Sequence, residues 1–147
     1  MAKFSYEFVV KASLKKVADF HRDTRTLKLL NPPPMIVQLH RADPIAEGSI
    51  SEFTLWLGPI PIRWRAIHSQ VGPHGFTDTQ EKGPMAYWKH THRFEVLKTE
   101  VTRIIENIEY DHPAGFRKLF TYLIIGTPGL LALFTYRKWA TRQALGG

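Results

Sequence analysis

Two histidines one residue apart, His90 and His92, are the side chains of this sequence best suited to chemistry. An imidazole titrates near neutral pH, so it can accept or donate a proton under ordinary conditions, and its nitrogens bind metals. Three roles are open to the pair. Each ring can satisfy a neighbouring carboxylate, hydroxyl or backbone group while packing as an aromatic, because buried polar groups are normally paired. The rings can orient a ligand or move its protons. They can also hold a metal together with Glu106 or Asp78, although no third histidine accompanies them. The first role is preferred, and no metal and no cofactor is expected. If the site is catalytic, His90 or His92 is the general base and Tyr110 or Glu106 the acid. The serines lie in no Gly-x-Ser-x-Gly setting, and the glycines form no phosphate-binding fingerprint.

These groups need elements to position them. From residue 87 the chain alternates, which puts Trp88, His90, His92 and Phe94 on one face of a strand and Tyr87, Lys89, Thr91, Arg93 and Glu95 on the other. The first face carries aromatics and imidazoles and reads as an interior wall. Further strands are predicted over 3–12, 35–40, 49–57, 62–71, 76–80 and 101–110. The same alternation aligns Trp64, Ala66 and His68, then Phe76 and Asp78, then Ile104, Glu106, Ile108 and Tyr110. The last six strands are joined by short links, which suit an antiparallel meander and cannot make parallel crossovers. Between the first strand and the meander, Ser13 caps a predicted helix. Thr24 or Thr26 caps a shorter one through Leu30, stopped by Asn31 and Pro32 to Pro34. A helical tail follows Pro113. Gly126 reads as a C-cap, Thr127 as the next N-cap and Pro128 as the first helical residue, with the helix running to about Gln143.

The chain has 147 residues, 44% hydrophobic and 22% charged, which suits a single domain spanning 1–147 with its own core. There is no cysteine, which excludes disulfides, thiolate metal sites and a thiol nucleophile. Together with the lack of an N-terminal apolar run, this gives a cytoplasmic expectation. Lys and Arg exceed Asp and Glu for a net charge of +7, but no dense basic run accompanies it, so no nucleic-acid partner is expected. The apolar stretch 119–134 is interrupted by Gly126, Pro128 and Gly129. It reads as a buried or cavity-facing helix, with membrane contact open but not favoured. Oligomeric state is not legible.

In order along the chain, Phe20-His21 with Leu30 and Pro32-Pro33, Trp64 after Gly58-Pro59-Ile60-Pro61, Phe76 with Asp78, Trp-x-His-x-His-x-Phe at 88–94, Glu106 to Tyr110, and Phe134-x-Tyr136-Arg137 resemble the Bet v 1-like/START superfamily. Within it the likeness is to bacterial SRPBCC ligand-binding proteins related to polyketide cyclases/dehydrases. Met85 stands where that pattern has an aromatic, and Glu106 where it has Asp. The resemblance implies an α+β helix-grip fold: a seven-stranded curved antiparallel sheet around a long C-terminal helix, with two short helices after the first strand. It also implies a hydrophobic or aromatic small-molecule partner, lipid- or polyketide-like, in a cavity between sheet and helix. The expected ligand-binding residues are Trp64, Asp78, Trp88, His90, His92, Phe94, Glu106, Ile108, Tyr110, Leu130 and Phe134. A cyclase or dehydratase using His90 or His92 with Glu106 or Tyr110 is the alternative, and a basic membrane- or protein-associated module the third reading.

Overall fold

The computed structural model describes residues 1–147. Strand β1 (Ala2–Val10) turns Phe4, Phe8 and Val10 inward, as its alternation requires. Ser13 caps α1 (Leu14–Arg22), its side chain accepting the Lys16 N–H, and the helix buries Val17, Ala18 and His21. A single 3-10 turn (Thr24–Thr26) then leads into α2 (Leu27–Leu30). Thr26 holds the N-cap position of α2, as one of the two expected threonines, but its side chain makes no capping hydrogen bond. Asp23 accepts the Arg25 N–H, while the Thr26 hydroxyl donates to Phe20 O at 2.8 Å and so ties the turn back to α1.

Six strands follow: β2 (Ile36–Ala42), β3 (Ile50–Leu57), β4 (Ile60–Gly72), β5 (Gly75–Lys82), β6 (Tyr87–Lys98) and β7 (Val101–Asp111). Every neighbouring pair is antiparallel and the sheet order is β1-β7-β6-β5-β4-β3-β2. The meander therefore runs in chain order, and β1 closes it beside β7. Met85 precedes β6 and is buried in the core. Its backbone N–H and C=O are both held by the Gln80 side chain, at 3.2 and 2.7 Å.

The tail is two helices, α3 (Phe116–Ile125) and α4 (Thr127–Leu145). Gly126 ends the first and caps the second, so Thr127 is the first helical residue and not the expected N-cap. Gly126 donates to Tyr122 O at 3.2 Å and accepts from Leu130 N–H at 2.9 Å. A side chain there does not fit, since a Cβ would lie 2.3 Å from Tyr122 O. Two faces of this tail differ. Ile124, Ile125, Leu130 and Phe134 pack toward the sheet, whereas Phe116 is 99% exposed and Leu119, Leu123 and Leu131 are also exposed. The stretch expected to be buried is so on one side only. By length and composition alone, Phe116–Leu145 is apolar enough to cross a membrane.

The interior forms two apolar clusters. One, under α4, includes Phe4, Phe53, Trp64, Trp88, Ile108, Tyr110, Leu130 and Phe134. The other, under α1, includes Phe8, Val10, Val17, Phe76, Phe94 and Ile104. The polar groups of the site lie at the seam between them.

Candidate functional site

Sheet register builds the site. Across β4, β5, β6 and β7, one row reads His68, Asp78, His90, Ile108, each directly opposite the next. The adjacent inward row reads Phe76, His92, Glu106, Tyr6 across β5, β6, β7 and β1. Neighbouring inward positions on a strand are two residues apart, so two histidines on β6 meet one carboxylate from each flanking strand. The imidazole planes lie with centroids 3.8 Å apart.

The four groups form a ring of contacts with one open corner. His90 Nε2–H donates to Glu106 Oε2 at 2.6 Å, and His92 Nε2–H donates to Asp78 Oδ2 at 2.8 Å. His92 Nδ1 lies 2.9 Å from Glu106 Oε2 but is not aligned for a hydrogen bond, and His90 Nδ1 lies 4.0 Å from Asp78 Oδ2. Glu106 carries the methylene that Asp would lack, and its one oxygen reaches both rings.

Burial alone would raise both carboxyls. The histidine charges and hydrogen bonds outweigh it, so Asp78 sits below the ordinary range and Glu106 well below. Burial lowers both imidazoles too, but Glu106 and Asp78 push His92 up to about 9, while His90, facing the His92 charge, stays below its usual value. The cluster thus holds its proton on His92 and leaves His90 neutral.

A cavity of about 520 Å³ opens beside this wall, bounded by the sheet, α2 and the α3–α4 junction. Trp64, Asp78, Trp88, His90, His92, Leu130 and Phe134 line it, as does His68. Trp64 meets Trp88 edge-on at 5.3 Å and stacks on Phe53 at 6.2 Å. Four of the expected residues are not on the lining. Glu106 sits behind the histidines, Ile108 and Tyr110 pack within the cluster under α4, and Phe94 packs under α1 with its ring 4.9 Å from His21. Strand alternation gives the inward face but does not separate a wall position from one covered by α1 or by a neighbouring side chain. Met85 does not line the cavity either.

Among the lining residues that the site reading missed are His21 and Arg137. His21 is buried with its Nδ1–H donating to Val17 O at 2.8 Å, and burial lowers it to about 4. Arg137 places its guanidinium over the Phe134 ring at 5.1 Å, and its Nε donates to Leu30 O at 3.3 Å. Burial pushes Arg137 down while the Glu106 and Asp78 charges oppose that, and a guanidinium stays ionised at any ordinary pH. The available signal was helical spacing: Leu130, Phe134, Arg137 and Thr141 fall on one stripe of α4.

Two of the shifted histidines, His21 and His92, pull the pH dependence of stability in opposite directions. His21 has a folded value below its ordinary 6.5, so its contribution is present above 6.5 and is lost as pH falls through about 4, worth about 3 kcal/mol. His92 has a raised folded value, so its contribution is full below 6.5 and is lost as pH rises through about 9. Stability therefore peaks near the shared ordinary value. Denaturant melts across the range should give the highest midpoint near neutrality, with the alkaline decline flattened in His92→Gln. A midpoint that climbs steadily toward pH about 9 would contradict these assignments.

The seven-stranded antiparallel sheet, the two short helices after β1 and the long helical tail packed on the sheet give a helix-grip-like fold, the fold of Bet v 1-like, SRPBCC proteins. No family model and no curated protein matches the sequence. Solved structures do match the fold. The protein CV1439 from Chromobacterium violaceum superposes with a TM-score of 0.77 at 12% identity, covering 100% of this chain and 99% of its own. Zhui aromatase/cyclase from Streptomyces sp. R1128 gives 0.71 at 13% identity, covering 97% and 95%. A Thermus thermophilus protein, TTHA0849, gives 0.70 at 13% identity, covering 97% and 99%. At these identities the likeness is one of fold.

Proposed function

We propose that the protein binds one hydrophobic or aromatic small molecule, lipid- or polyketide-like with an oxygen-bearing head, non-covalently in the cavity between sheet and C-terminal helices. The observation that carries this reading is the distribution of chemistry around the cavity. Its volume of about 520 Å³ suits a small organic ligand. Its walls are apolar, from Trp64 and Trp88 to Leu130 and Phe134, while Asp78, His90, His92 and Arg137 supply a few polar groups. Apolar walls give affinity and a few fixed polar groups give orientation. The fold supports the same reading, since Bet v 1-like proteins typically hold hydrophobic ligands. Both imidazoles are engaged by carboxylates, which favours orienting a ligand over turning it over.

Titration with 1-naphthoate, followed by quenching of Trp64 and Trp88 fluorescence, tests the proposal. Saturable one-to-one quenching is the expected result, and its absence counts against the cavity as a binding site. Arg137 supplies the only fixed positive charge of α4 on this lining, so Arg137→Met should weaken naphthoate about 10–100-fold, the worth of a hydrogen bond to a charged group. The uncharged methyl ester of the same acid should bind both proteins alike. Equal loss for acid and ester would instead mark Arg137 as a packing residue.

A further inference from the structure

The ring of contacts between the histidines and carboxylates is incomplete at one corner. His90 gives its Nε2 proton to Glu106, which leaves Nδ1 as a bare lone pair. That lone pair has no hydrogen-bond partner. The nearest polar atom, Asp78 Oδ2 at 4.0 Å, is also an acceptor. The His90 side chain is only 5% exposed, and both His90 and Asp78 line the cavity. His90 Nδ1 and Asp78 Oδ2 are two acceptors facing each other at 4.0 Å, a pair that a cation can satisfy together.

The remaining geometry fits the same answer. His92 Nε2 also points at Asp78 Oδ2, from 2.8 Å. One ligand atom from each of Asp78, His90 and His92 lies within 4.8 Å of the other two. A tetrahedral ion with bonds of about 2.0–2.1 Å needs its ligand atoms about 3.3 Å apart, between the two spacings found here, so small side-chain rotations suffice. Glu106 stands behind the rings and touches the nitrogen of each that faces away from Asp78, at 2.6 and 2.9 Å. Carboxylates in that position orient metal-bound histidines by accepting the second ring proton. His92 Nδ1 is at present buried without an aligned partner. With its Nε2 on a metal, the His92 imidazolium releases its Nε2 proton to solvent and keeps the one on Nδ1, which faces Glu106 Oε2 at 2.9 Å.

We propose that Asp78, His90 and His92 form a binding site for a divalent first-row transition-metal ion such as Zn2+, oriented by Glu106, with its open coordination position facing the cavity. Sequence alone leaves the pair short of a third histidine; the β5–β6 register supplies a carboxylate in its place. Two imidazoles, one carboxylate and an open position form a donor set that divalent first-row ions accept. The site needs no organic ligand, so zinc uptake and naphthoate binding can succeed or fail separately.

Untagged protein, stripped with chelator and dialysed against Zn2+, should retain one zinc per chain by elemental mass spectrometry. Asp78→Asn and His92→Gln should lose it, and Glu106→Gln should weaken it roughly 10–100-fold. His112→Gln, whose ring is bonded to Thr121 away from the cluster, should leave it unchanged. Co2+ should give the intense visible bands of a four-coordinate site. Failure of folded wild-type protein to retain zinc overturns the proposal, as does uptake unaltered in both ligand variants. If those variants do not fold, the imidazole resonances of wild-type protein decide. Stoichiometric Zn2+ should shift His90 and His92 and leave His112 in place, and unshifted His90 and His92 resonances overturn the site equally.

Discussion

Glu106→Leu should destabilise the protein by about 3–5 kcal/mol, the usual cost of removing one member of a buried ionic pair. For a chain of this size that lowers Tm by roughly 10 °C or more. Glu106 is 5% exposed and meets both imidazoles with a single oxygen. It is also the largest influence holding the His92 proton. Without it, His90 Nε2–H has no acceptor and His92 must either lose its proton or carry a buried charge with only Asp78 to balance it. Leucine matches the size of glutamate, so a cavity explains little of the loss. The diagnostic result is the double variant. Glu106→Leu with His92→Leu removes the two partners together and should cost less than the sum of the single variants, the remaining loss being that of the Asp78 hydrogen bond to His92. A double-mutant cycle by denaturant melts measures the coupling. A single-variant loss under about 1 kcal/mol, or costs that simply add, would show that the pair is not coupled as described.

The second large effect falls on binding and spares stability. Ala66 lies on β4 between Trp64 and His68, is buried, and lines the cavity. Ala66→Phe projects a ring into the space that the proposed ligand occupies. Affinity for 1-naphthoate should fall by at least about 100-fold, while stability should hold or rise by about 0.5–2 kcal/mol, as cavity-filling substitutions in apolar surroundings commonly do. That combination separates a functional cavity from a packing defect. Thermal melts and the naphthoate titration on the same sample check it. Unchanged affinity would mean that naphthoate binds elsewhere.

Much of this architecture is legible from alternation. The inward placement of Trp64, Ala66 and His68 follows from period-two patterning, and the meander follows from link lengths too short for crossovers. The meeting of Asp78, His90, His92 and Glu106 is legible in part, because inward residues on adjacent strands meet wherever register brings them level. Register itself depends on irregularities that alternation does not mark, such as the shifts between Arg65 and Ala66 and between Ser69 and Gly72 on β4. The depth of each inward residue is another matter. Phe94 and Ile108 are on the same side of the sheet as Trp88 and His90, but α1 covers the first and the cluster under α4 encloses the second. Arg137 was hidden for a different reason. In sequence it is a basic residue flanking an apolar run, and only the packing of α4 turns it inward over Phe134.

The central claim is that this cavity is a binding site, and native mass spectrometry of the 16.9 kDa chain tests it most directly. Wild-type protein is titrated with 1-naphthoate and with straight-chain carboxylates of increasing length, beside Ala66→Phe and Arg137→Met. The account predicts a one-to-one complex with wild type, weakened in Arg137→Met and abolished in Ala66→Phe. Bare wild-type chain throughout the titration, or complexes that form equally well in Ala66→Phe, would contradict it.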